Sequence, residues 1–123
     1  MPILDLEIVV PDGEALDASL AASVADASGE VFGSLAGQTW VRVRAVPRES
    51  YAENGGGPPV GIHPVFVRVL LADPPQGEDL RSQVHRLTLA IAKVCQRPPE
   101  NVHLFYEPAA RGRVAFGGRL VGD

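Results

Sequence analysis

The residue with the least ordinary chemistry is the second one. The chain opens Met1-Pro2, and loss of Met1 exposes a secondary amine carried on a rigid ring. In water such an amine is a stronger base than proton shuttling at neutral pH requires. An apolar pocket lined with cations disfavours its ammonium form and draws its pKa toward the working pH. The ring also fixes the direction of the lone pair, which aims the base without loose rotamers. With Met1 retained, the nitrogen is an amide and has no basicity. Pro2 equally suits a structural role, as the first residue of a strand where no amide hydrogen is needed.

Four other side chains carry groups whose types allow a binding role or a plain structural one. Arg42 and Arg44 fall on one face of an alternating segment, TWVRVRAV (39–46). Either guanidinium suits a bidentate grip on a carboxylate, and either suits a solvated strand face or an intersubunit ion pair. His103 carries an imidazole that suits an interface or surface position. Phe116, just before Gly117-Gly118, is an aromatic able to wall a pocket or simply to pack a hairpin. Arg111 and Arg113 add positive charge near that wall, with surface charge the plainer role. Cys95, on the apolar side of a helical segment, reads as a buried and inert thiol. His63, His85 and His103 have no metal-ligand spacing, and no glycine-rich phosphate loop precedes a helix, so neither a metal nor any other cofactor is expected.

These residues are carried on a unit written twice. Pro2 to Val10 (PILDLEIVV) alternates Asp5 and Glu7 against Leu4, Leu6 and Ile8, the pattern of a half-buried strand. Pro11-Asp12-Gly13 stops it, with Asp12 placed to cap a helix that has Glu14 in its first turn. Leu16, Leu20, Val24, Ala27 and Val31 line one helical face, which ends near Gly33. Thr39 to Val46 is the second strand, with Trp40, Arg42 and Arg44 on one side and Val41, Val43 and Ala45 on the other. After a Gly/Pro linker the order repeats. Val65 to Ala72 is a strand, and Leu80, Val84, Leu87, Ile91 and Val94 follow the first helical stripe at nearly constant offset. Asn101 to Glu107 is a fourth strand that turns His103, Phe105 and Glu107 outward. Arg113 to Val121 reads as a short hairpin.

A helical crossover of this length makes the strands of each half parallel and the connection right-handed. The fold expected is therefore α+β. A duplicated β-α-β unit (repeats about 2–56 and 64–121) forms one domain, with a four-stranded mixed sheet and both helices on one face. The opposite face retains apolar residues and needs a partner, so oligomerisation is expected.

Composition narrows the function. A chain of 123 residues, 46% hydrophobic, buries one core. Its net charge of -4 supplies no basic field for phosphate backbones, which excludes nucleic acid as an expected partner. No apolar run spans a bilayer, so no membrane partner is expected. The lone cysteine and the absence of a secretory leader pattern lead to a cytoplasmic expectation.

Met-Pro at the start, the doubled β-α-β unit, and NVHLFYEPAARGRVAFGG (101–118) together resemble the tautomerase superfamily. The double length is similar to its fused-repeat branches, 5-carboxymethyl-2-hydroxymuconate isomerase and macrophage migration inhibitory factor. VRVRAVPRESYAENGG (41–56) looks closest to the former. The resemblance covers nearly the whole chain and implies a homotrimer whose sheets line a barrel, with three active sites at subunit boundaries. It also implies a cofactor-independent isomerase that moves a proton on a small 2-hydroxydienoate or 2-oxo acid. Pro2 would be base and acid, and Arg42, Arg44, His103 and Phe116 would hold or enclose a carboxylate or enol substrate. Proline-dependent decarboxylation and a catalytically silent trimeric module stand as alternatives. Relatives acting on dicarboxylates carry an arginine where this chain has the turns Pro11-Asp12-Gly13 and Asp73-Pro74-Pro75. Relatives that hydrate halogenated acrylates carry a carboxylate where this chain has Ala115.

Overall fold

The computed structural model describes residues 1–123. The elements run β1 (Ile3–Val10), α1 (Leu20–Phe32), β2 (Trp40–Pro47), β3 (Val65–Leu70), α2 (Gly77–Cys95), β4 (Val102–Tyr106), then a short hairpin of β5 (Ala115–Phe116) and β6 (Arg119–Leu120). The main sheet has the order β2-β1-β3-β4. β1 pairs parallel with β2, and β3 pairs parallel with β4. The two halves are joined by antiparallel pairing of β1 with β3, Ile3 lying opposite Leu70 and Ile8 opposite Val65. Two β-α-β units thus meet through their first strands, and the sheet is mixed as the sequence predicts.

The two-residue period sorts the sheet into faces. Leu4, Leu6, Ile8 and Val10 of β1 and Val65, Val67 and Val69 of β3 are buried beneath Val24 of α1 and Leu87, Ile91, Ala92 and Cys95 of α2. Both helices therefore cover one face. Tyr106 closes the edge of this layer, its hydroxyl donating to Gln83 Oε1 at 2.7 Å. Burial pushes its phenol up to about 12, although Arg86 nearby pulls it down slightly. Gly33 ends α1 in the left-handed conformation (φ 66°), the predicted stop.

The start of α1 differs from expectation. The helix begins at Leu20, and Asp12 caps no helix; its Oδ1 accepts from the Glu49 amide at 3.2 Å. Asp17 instead orders the entry, accepting from the Ser19 amide at 2.8 Å and the Ser19 hydroxyl at 2.7 Å. Leu16 still packs on the core, but from the loop. Its four-residue spacing from Leu20 mimics a helical turn, because both side chains reach the same apolar layer.

The open sheet face carries paired charges beside its apolar residues. Asp5 accepts a bidentate pair from Arg42 (2.6 and 2.8 Å), Glu7 lies 3.9 Å from Arg44, and Arg68 reaches Glu107 at 3.2 Å. Apolar residues share this face: Ile3, Val9, Trp40 and Leu70 fall on it by the two-residue period, and aromatics gather around Phe66, whose ring lies 5.4 Å from His103, 5.7 Å from Tyr51 and 6.3 Å from Phe105.

Arg97 ties the two halves together. Its guanidinium donates to the carbonyls of Val9 (3.1 Å), His63 (3.0 Å) and Cys95 (2.9 Å), linking the end of β1, the entry to β3 and the end of α2. Hydrogen bonds from a charged group are worth about 1.5–3 kcal/mol each before relaxation, and their loss orphans partly buried carbonyls. Arg97→Met is expected to lower the unfolding free energy by about 2–4 kcal/mol in urea titration. An unchanged midpoint would show that the three contacts contribute nothing.

Candidate active site

Because β1 is an inner strand, the chain starts at the middle of one sheet end. The Pro2 carbonyl accepts from the Trp40 amide at 3.0 Å, which fixes the residue beside the start of β2. On the other side, the antiparallel register that sets Ile3 against Leu70 brings Pro2 level with Leu71. The segment after β4 docks there: the Ala110 amide donates to Leu71 O at 2.9 Å and the Arg111 amide to Ala72 O at 3.3 Å. Phe116, in β5, meets Trp40 edge-on, with ring centroids 5.3 Å apart and planes at 80°. The terminal segment thus touches both neighbours of β1 and crosses its end. Gly117 and Gly118 make the turn, with φ of 57° and 87° that side chains rarely tolerate.

Pro2 and Phe116 therefore share one end of the sheet, with Trp40 between them. Arg42 lies two residues further along β2, its fork occupied by Asp5 directly opposite. That bond, more than the bare charge of Asp5, raises the guanidinium pKa above its ordinary value. Arg44 is a further two residues away and only loosely paired. His103 is not near its own chain's Pro2. It sits opposite Phe66 at the start of β4, whereas Pro2 is level with Leu71, a separation of roughly 17 Å along the strands.

Sequence reading left one charged pair at this end unassigned. Arg111 Nε and Nη2 donate to Asp73 Oδ1 and Oδ2 at 2.7 and 2.5 Å. The hydrogen bond from Arg111 holds the Asp73 carboxyl below its ordinary pKa, and the charge of the amino terminus adds to that pull. The guanidinium that meets this carboxylate comes from a loop remote in sequence. No spacing signals such a pair; only the docking of 110–111 on 71–72 creates it.

Two concavities lie elsewhere. A groove of about 1040 Å³ runs between α1 and α2, floored by Leu16, Leu20 and Val94, with Asp26 and Glu30 opposing Arg86 and Lys93. A hollow of about 90 Å³ on the open sheet face is bounded by Asp5, Glu7, Arg44, Phe66, Arg68 and Phe105. Size alone does not favour the groove as a reaction site: its hydrogen-bonded polar pair, Asp17 and Ser19, orders the entry to α1. Its one thiol, Cys95, is buried, and burial pushes its pKa up. No group of three or more His, Cys, Asp or Glu side chains is placed to hold a metal ion. No helix is long and apolar enough to cross a membrane.

No protein-family model matches the chain, and no curated protein matches it in sequence. Solved structures do match in fold. A fused 4-OT, described as a wild-type asymmetric trimer, superposes with a TM-score of 0.71 at 19% identity over 94% of each chain. A macrophage migration inhibitory factor homologue from Prochlorococcus marinus gives 0.70 at 15% identity, covering 98% of this chain and 99% of its own. A protein inactivated by 2-oxo-3-pentynoate gives 0.69 at 16% identity, covering 97% of this chain and 94% of its own. The chain has the tautomerase-type α+β fold, with two helices and a four-stranded mixed sheet.

The Asp73–Arg111 pair makes a direct electrostatic prediction. Removing the guanidinium in Arg111→Ala is expected to raise the Asp73 pKa toward the ordinary carboxylate value, read from its side-chain ¹³C shift against pH. An unmoved titration would show that the two groups do not hold each other in solution.

Proposed function

We propose that this chain is a cofactor-independent tautomerase acting on small 2-hydroxydienoates or 2-oxo acids, with the amine of Pro2 as base and acid after removal of Met1. The observation that carries the reading is the position of Pro2. The amino terminus lies at the centre of one sheet end, between Trp40 and Leu71, and is crossed by the segment bearing Phe116, within the fold shared by fused 4-OT and migration inhibitory factor homologues. In ketonisation, the amine takes the proton of the enol hydroxyl and the resulting ammonium delivers a proton to carbon, while a nearby guanidinium balances the enolate oxygen or the carboxylate. The aromatic pair Trp40–Phe116 flanks this end, and its enclosure at a subunit boundary of the trimer would keep water from the amine and favour its neutral form.

The same reading makes the working protein a homotrimer with sites at subunit boundaries. His103, remote from its own Pro2, is then assigned to a neighbour's site, and Arg42 and Arg44 to substrate binding. One observation favours a catalytically silent trimer instead. The fork of Arg42 and that of Arg111 are both filled by the chain's own aspartates.

Activity separates the two. Protein shown by intact mass to lack Met1 is assayed for ketonisation of phenylenolpyruvate and 2-hydroxymuconate beside Pro2→Ala. The wild type is expected to turn over at least one substrate, with kcat/KM in Pro2→Ala lower by about 10²–10⁴-fold. Equal rates, or a native chain that keeps Met1, sink the mechanism. Light scattering at micromolar concentration is expected to return three times the 13.0 kDa chain mass; the mass of a single chain would contradict the trimer.

A further inference from the structure

Charged pairs in this molecule are of two kinds. Asp5–Arg42 and Glu7–Arg44 join directly opposed strand positions, so the ladder holds their backbones in register, tightly paired at 2.6 Å in the first and 3.9 Å apart in the second. Asp73 and Arg111 both lie outside the strands. Asp73 is in the turn after β3, and Arg111 is in the segment that leads to the β5–β6 hairpin. Their side chains are 63% and 53% exposed, and a pair so placed is weakly held and easily exchanged. Its geometry is nonetheless complete, with both donors of the fork on both oxygens of one carboxylate. The carboxylate it grips is carried on a turn just beyond Leu71, the neighbour of Pro2.

We propose that Arg111 grips the substrate carboxylate beside Pro2, and that Asp73 is a built-in competitor which fills the fork until substrate displaces it. The exchange is electrically balanced: one carboxylate enters the fork as another swings into water, so the guanidinium is never left bare. It lowers the apparent affinity by the fraction of time the fork is filled, and it selects against ligands that lack a carboxylate. Arg42 is the poorer candidate, because Asp5 lies directly opposite it on the paired strand and is the more enclosed carboxylate, 32% exposed against 63% for Asp73. This assignment rests on the reading of Pro2 as the catalytic base, but its binding half can be tested without turnover.

Phenylenolpyruvate and its methyl ester are compared in wild type, Asp73→Asn and Arg111→Met, each verified as folded by circular dichroism. Asp73→Asn is expected to lower KM for the acid by about 3–10-fold, and Arg111→Met to raise it about tenfold, with KM for the ester moving less than about twofold. A change in amine basicity moves both substrates alike, so the acid-to-ester ratio isolates the fork. Equal responses of acid and ester in both variants would overturn the proposal. Loss of the Pro2 reading shows separately, as activity that survives in Pro2→Ala or is absent throughout. In that event, calorimetric titration with cinnamate and neutral cinnamamide decides: tighter cinnamate binding in Asp73→Asn and weaker in Arg111→Met supports the fork. Cinnamate affinity unchanged across all three proteins rejects it.

Discussion

The placement of β1 as an inner strand governs the rest of the molecule. It is paired on both sides, parallel to β2 and antiparallel to β3, and its alternate residues form the middle of the core. A slip of one residue would turn Leu4, Leu6 and Ile8 to the open face and bury Asp5 and Glu7, so the register is strongly specified. A chain that begins on an inner strand has its amino terminus walled by backbone on two sides. Pro2 therefore needs no loop of its own to hold it, and the terminal hairpin has only to cross the sheet end to close over it.

From that constraint follows a division between fixed and exchangeable charge. On the strands, acids of β1 lie opposite arginines of β2 and neutralise them in register, giving the open face a ladder of pairs. At the sheet end, the partners come from a turn and a loop, and their association is set by side-chain geometry alone. Exposed pairs of the second kind contribute little to stability. Their position beside the amino terminus gives them a different value, as a place where one carboxylate can stand in for another.

Much of this organisation was legible in the sequence, because it rests on local periodicity. The alternation in 2–10 and 39–46 assigns each side chain to the correct face, the helical stripe of the second half locates α2, and Gly33 marks the end of α1. Leu16 misled, since a loop residue packed on the core keeps the spacing of a helical one. The polarity of the open face was legible only in part: Asp5, Glu7, Arg42 and Arg44 were each assigned to it, but that they cancel in pairs depends on the register between strands. The separation of His103 from Pro2 and the Asp73–Arg111 pair depend on the order of all four strands, which no local pattern carries.

Proton transfer at Pro2 requires above all that its nitrogen be an uncharged amine at working pH. The direct measurement is a ¹⁵N NMR titration of that nitrogen in the assembled, Met1-free protein. A single titration near neutral pH is expected, shifted upward when Arg111 is replaced by Met and Asp73 is left unpaired beside it. A nitrogen that titrates only in the range of a free prolyl amine in water, or that carries an amide shift and does not titrate, would contradict it.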